Sequence, residues 1–80
     1  MYIVYILISI RDPSKYYIGI TEDLTERLRK HNSSIPGYSK RYAPWHVETF
    51  ITIRNRLLAE KFEKYLKSGS GFAFLKKRLI

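Results

Sequence analysis

No cysteine occurs among the 80 residues, which excludes disulfide frameworks and thiolate zinc sites together and fits a reducing compartment. No apolar run approaches the roughly 20 residues of a membrane-spanning helix; the run that starts at Tyr2 is spent by Ile10. It also lacks the basic leader and small-residue cleavage site of a secretory signal. A soluble, cytoplasmic protein without a membrane partner is the expectation. No repeat, low-complexity tract or linker divides the chain, so residues 1–80 read as one domain with one core. A hydrophobic content of 45% with seven Tyr, four Phe and one Trp is enough to build that core without a structural metal.

Acidic residues are scarce as well. Seven Asp and Glu face fifteen Lys and Arg, a net charge of +8. The excess is uneven: residues 41–80 hold nine basic and three acidic residues, whereas residues 1–40 hold six and four. Clustered Lys and Arg bind polyanions by releasing counterions from phosphates, so a nucleic acid is the expected partner. Lys40 and Arg41, interleaved with Tyr38 and Tyr42, and the triplet Lys76-Lys77-Arg78 are the candidate contacts. The triplet reads equally as a solvated helix end, and the Tyr38–Tyr42 tract also reads as a rigid loop with Trp45 buried in the core.

Tyr2–Ile10 is apolar on both alternation phases, the pattern of a central strand covered on both faces. Arg11–Lys15 breaks it with Pro13 and turn formers, and Tyr16–Ile20 resumes it, giving an antiparallel hairpin. If Ile10 faces Tyr16, residues of equal parity share a face, and Tyr5, Tyr17 and Gly19 line one side. Asp23 with Glu26 three residues on resembles a capping box for a helix to about Asn32. In that helix Arg27 and His31 follow Leu24 at i+3 and i+7, where an amphipathic helix would continue its apolar stripe. Ser33–Gly37 is a loop. Trp45–Ile53 is a third strand with Trp45, Val47, Thr49, Ile51 and Ile53 on one phase. Asn55 caps a helix with the stripe Leu58, Phe62, Tyr65 and Leu66, Gly69 ends it, and Ser70 opens a last helix to about Leu79. The order ββαβαα describes an α+β domain whose three-stranded antiparallel sheet has the first strand in the centre, flanked by helices.

The run Ile3-Val4-Tyr5, the run Tyr17-Ile18-Gly19, Arg27 with His31-Asn32, and Phe62-Glu63-Lys64-Tyr65-Leu66-Lys67 follow one another in an order that resembles the GIY-YIG nuclease domain, in its small stand-alone bacterial branch. The likeness covers nearly the whole chain. It implies that Tyr5, Tyr17, Arg27 and His31 form a catalytic site, that Glu63 binds a metal, and that the chain is a Mg²⁺- or Mn²⁺-dependent endonuclease hydrolysing DNA with low or structure-based specificity. Ile3 replaces the first motif's glycine, Ile20 and Thr21 stand where some branches carry a lysine, no asparagine follows Glu63, and Phe72 holds a place expected to be basic.

The chemistry of the set is coherent. A single carboxylate with waters holds Mg²⁺, which dehydrates reluctantly, and Arg27 offers a planar fork of donors to a phosphate oxygen. The proton of the attacking water goes to Tyr5, Tyr17 or His31; the last has the better-matched ordinary pKa, while the resemblance favours a tyrosine. Each residue also has an ordinary reading: Tyr5 and Tyr17 as packing aromatics, Arg27 paired with Asp23, His31 solvated at a helix end, Glu63 paired with a neighbouring lysine, with Glu60 as rival carboxylate. A non-catalytic nucleic-acid-binding module of the same fold is the alternative function, and an interaction scaffold with incidental basicity a third. RNA remains open as a substrate beside DNA.

Overall fold

The computed structural model describes residues 1–33 and 38–80, leaving aside the side chains of 38 and 39. From residue 34 onward the expected loop Ser33–Gly37 lies outside the described residues. The elements are β1 (Tyr2–Ser9), β2 (Tyr16–Thr21), α1 (Leu24–His31), a single turn α2 (Tyr38–Arg41), β3 (Trp45–Ile53), α3 (Arg56–Leu66) and α4 (Gly69–Arg78). Apart from the added turn α2, this is the α+β order ββαβαα expected. Among the described residues no helix is long and apolar enough to cross a membrane.

The sheet order is β2-β1-β3, with both pairings antiparallel. β1 is apolar on both phases because helices cover both of its faces. Val4 and Ile6 pack with Ile18, Ala59, Leu66 and Leu75 under α3 and α4. On the other face, Tyr5 and Leu7 pack with Trp45, Leu24 and Leu28 under α1. The hairpin register differs from the expected one: Ile8, not Ile10, faces Tyr16. The Ser9 hydroxyl accepts from the Asp12 amide at 2.9 Å, and the Ile10 amide donates to Pro44, so the strand stops early. A slip of two residues preserves the faces, and Tyr5, Tyr17 and Gly19 still share one.

β3 departs from its expected reading in a more consequential way. Its phase Trp45, Val47, Thr49, Ile51, Ile53 is inward throughout, but not toward one layer. Leu7 faces Val47 while Ile6 faces Thr49, so Glu48 is an extra residue, a β-bulge. Trp45 and Val47 therefore join the α1 layer, and Ile53 joins the α3/α4 layer.

Asn55 caps α3 as expected, its Oδ1 accepting from the Leu58 amide at 3.0 Å. The buried stripe is Ala59, Phe62, Leu66, however, and Leu58 and Tyr65 are exposed. The cause is the tight α3/α4 junction. Ser68, rather than Ser70, caps α4 by accepting from the Gly71 amide, and its own hydroxyl donates to Tyr65 O at 2.6 Å. Gly69 is the first residue of α4 and does not terminate α3 with a left-handed turn. Gly71 is the glycine the junction requires, since a Cβ there would overlap the Tyr65 carbonyl.

Candidate active site

The β1/β2 register sets Tyr5 opposite Gly19, and the Tyr5 ring lies where a Cβ on Gly19 would be. The glycine thus lets the phenol cross to β2. Tyr5 is wholly buried. Burial pushes its phenol up to about 12, although the Arg27 guanidinium opposes the shift through its charge and as a hydrogen-bond donor.

The β2–α1 turn fixes where Arg27 and His31 fall. Asp23 caps α1 by accepting from the Glu26 amide at 3.1 Å. Glu26 does not complete a capping box; it pairs with Arg29 at 2.7 Å, and Thr21 Oγ1 accepts from the Asp23 amide instead. At the other end Asn32 is clamped to β3, accepting from Trp45 N at 2.6 Å and donating to Trp45 O at 3.2 Å. Held at both ends, α1 turns Arg27 and His31 onto the tyrosines. Tyr5 Oη and His31 Nε2 are 3.1 Å apart. Which of the two donates depends on the His31 tautomer. Burial and the Arg27 charge lower the His31 pKa, so the ring is neutral at neutral pH. Tyr17 is half-buried, with its ring centroid 4.4 Å from that of His31 and 6.3 Å from that of Tyr5.

α3 completes the group. Arg56, Glu60, Glu63 and Lys67 recur at i, i+4, i+7 and i+11, one stripe of the helix. Its ends are ion pairs, Arg56–Glu60 at 3.0 Å and Lys67–Glu63 at 2.7 Å. Two clefts run along the free edge of β2 beneath this stripe. One of about 270 Å³ is lined by Arg27, Arg56, Glu60 and Thr21; the other, about 350 Å³, by Tyr16, Tyr17, Ile18, Lys67 and Phe72. Glu63 belongs to the stretch between them: its side chain is only 16% exposed and its charge reaches the Tyr5 phenol. Among the described residues no group of three or more carboxylates, histidines or cysteines could hold a metal ion. That donor set excludes an all-protein cage and fits a hard cation that keeps most of its waters on one carboxylate.

Tyr5, Tyr17, Arg27, His31 and Glu63, far apart in the chain, therefore meet at one place. The expected nucleic-acid contacts do not. Lys40 and Arg41 lie exposed on α2, on the α1 side of the sheet, where the Arg41 guanidinium is 5.5 Å from the Tyr42 ring centroid. Lys76, Lys77 and Arg78 form the exposed last turn of α4, on the opposite layer. Arg27 makes no ion pair with Asp23 among the described residues. Three contributors escaped the sequence reading: Asn32, Arg56 and Lys67. Arg56 and Lys67 were legible only as members of the 3.6-residue stripe that carries Glu63.

These features define a class. The chain belongs to the GIY-YIG catalytic domain family, whose pattern matches residues 1–77. Among curated proteins it is similar to the structure-specific endonuclease subunit slx1 of Talaromyces marneffei, 40% identical over 55 residues, covering 62% of this chain and 14% of that protein. The corresponding subunit of Schizosaccharomyces japonicus is 43% identical over 54 residues, covering 62% and 20%. The SLX1 homolog of Giardia intestinalis is 36% identical over 59 residues, covering 69% and 16%. The chain thus spans at most a fifth of the length of these relatives.

Proposed function

We propose that this chain is a divalent-metal-dependent endonuclease that hydrolyses phosphodiester bonds of DNA and selects its substrate by structure rather than sequence. The observation that carries the reading is the convergence of Tyr5, Tyr17, Arg27, His31 and Glu63 from β1, β2, α1 and α3. A binding module needs only a basic surface. The three relatives are named as structure-specific endonuclease subunits, which supports selection by structure, and the net charge of +8 supports a nucleic-acid substrate.

Glu63 holds the metal, Mg²⁺ or Mn²⁺, which when bound supplies Lewis-acid stabilisation of the phosphate and the leaving oxygen. Arg27 donates to a non-bridging phosphate oxygen as charge develops on it. Tyr5 is a support: sealed from solvent and held protonated, it orients His31 through the bond between its Oη and Nε2. Because that bond occupies Nε2, the proton of the attacking water goes to Tyr17, the more accessible phenol, acting as the phenolate after its own proton has left to solvent, a form that a cation held on Glu63 would favour. His31 keeps the Tyr17 ring in place by a close, tilted ring contact.

Cleavage assays on nicked, flapped, branched, single-stranded and duplex DNA, with and without Mg²⁺, test the reading. Glu63→Gln should abolish turnover and leave binding nearly intact, because affinity rests on distributed positive charge. Undiminished turnover in Glu63→Gln, with Glu60→Gln inactive, would move the metal to the Arg56 end of the stripe. Tight, salt-sensitive binding with no cleavage of any substrate would leave the binding module standing.

A further inference from the structure

We infer that the cleft at the Lys67 end of the β2 edge takes one unpaired nucleotide next to the scissile phosphate, its base against Phe72 and Tyr16 and its phosphate on the Lys67 ammonium. The inference rests on the nuclease reading above and gives a physical basis for structural selectivity. Phe72 is 42% exposed, an aromatic ring in the first turns of α4 that faces the cleft instead of the core. Its ring and that of Tyr16 stand 6.1 Å apart and tilted by 39°, not stacked face to face. Stacking on an aromatic side chain is tolerant of sequence because every base has a π-face. The volume, about 350 Å³, is in the range of small-molecule sites.

Charge fixes which part of the nucleotide lies where. Among the described residues that line the cleft, Lys67 is the only cation, and its Nζ is 2.7 Å from Glu63 Oε2. Its side chain is 53% exposed, so the pair with Glu63 contributes little and the ammonium can exchange its carboxylate for a phosphate. Tyr17 lines the same cleft, which joins it directly to the proposed proton acceptor. A base stacked within a duplex has both faces covered and cannot enter; a base at a gap, flap or junction can. The phenylalanine at 72, where a basic residue was expected, thus exchanges a phosphate contact for contact with a base.

The test compares three DNAs by fluorescence anisotropy in EDTA: a gapped duplex with one unpaired thymine at the gap, the same duplex with an abasic sugar there, and the fully paired duplex. The protein should bind the thymine-bearing DNA roughly tenfold more tightly than the abasic one, the scale of stacking one base. Phe72→Leu, which keeps an apolar side chain of similar bulk, should erase the difference, and Phe72→Trp should preserve or enlarge it. Lys67→Gln should weaken binding to both gapped DNAs alike and flatten log affinity against log salt by about 0.7, the value for one single-strand phosphate. Equal affinity for thymine-bearing and abasic DNA, or discrimination that survives Phe72→Leu, overturns the base subsite. An unchanged salt slope in Lys67→Gln overturns the phosphate contact. All of this is read without metal. Discrimination lost with Phe72→Leu, alongside a failure to cleave with Mg²⁺ or Mn²⁺, therefore overturns the nuclease reading alone.

Discussion

Gly19 lacks a side chain because the Tyr5 phenol occupies that space. Gly19→Ala should force the phenol off β2 and break its bond to His31, destabilising the fold by roughly 1–3 kcal/mol, as read by urea denaturation. An unchanged midpoint would show that the ring moves freely. The same burial gives Tyr5 a signature in pH. An unfolded phenol deprotonates near 10.0, whereas the buried one waits until about 12. Between these values the unfolded chain binds fewer protons than the native one, so stability falls as pH rises through that window, by about 2–3 kcal/mol in all. His31 works at the other end: its depressed pKa means the unfolded chain binds more protons, and stability is lost as pH falls below the ordinary value of 6.5. Tyr5→Phe should remove the alkaline loss, and at neutral pH it removes the hydrogen bond to His31 Nε2, costing about 1–3 kcal/mol. A wild-type alkaline limb in Tyr5→Phe would assign that loss to another group. The two roles proposed for the tyrosines, support and proton acceptor, were not separable in the sequence, since both phenols lie in β-type runs and only burial distinguishes them.

An element holds its site residues where its ends are fixed, and α1 is the clearest case. Asp23 was readable as its cap because a short side chain before an amphipathic run has one local task. Asn32 was not, because its partner is the backbone of Trp45 thirteen residues on. Asn32→Ala should cost about 1–3 kcal/mol for the two hydrogen bonds lost to the Trp45 backbone. It should also loosen His31, so that cleavage falls more than binding does; equal losses in both would reduce Asn32 to a stability role. The same distinction governs the rest of the fold. Strands, helices and the central place of β1 were legible because they follow from alternation and from local punctuation. The split of β3 between two layers was not, because a bulge at Glu48 leaves the one-dimensional pattern unaltered while reversing its faces. The choice of Ala59 over Leu58 as the inward residue of α3 was hidden for a related reason. It depends on how closely α4 approaches, and that is set by Gly71 against Tyr65 O.

Basic residues from distant parts of the chain meet at the hairpin-loop end of the sheet. Arg11 donates to Arg41 O at 3.3 Å, and Lys15 and Arg41 each stand 5.5 Å from the Tyr42 ring centroid. On the other layer Lys76 lies beside Ile8 and Pro13. Two basic groups that the chain separates thus flank one end, the end from which β2 and its Lys67 cleft begin. Duplex arms flanking the cut would rest there, held by charge and indifferent to sequence. Replacing Arg11, Lys15 and Arg41 together by Gln should weaken binding to all DNA sequences alike. It should also flatten log affinity against log salt by roughly 0.9 for each duplex phosphate the variant no longer neutralises. The Lys76, Lys77, Arg78 triple should do the same if the duplex spans both layers, and leave the slope alone if it lies on the α1 side. Tyr17→Phe has the opposite phenotype. It should leave the salt slope intact and lower the rate at saturating DNA by roughly 10²–10⁴-fold, the usual contribution of a positioned proton acceptor. On the proposed reading affinity and rate are therefore separable by mutation, because Arg11, Lys15 and Arg41 lie away from the β2 edge to which the proton chemistry is assigned. A Tyr17→Phe enzyme with wild-type turnover would transfer the proton to His31 and make Tyr17 a wall of the cleft.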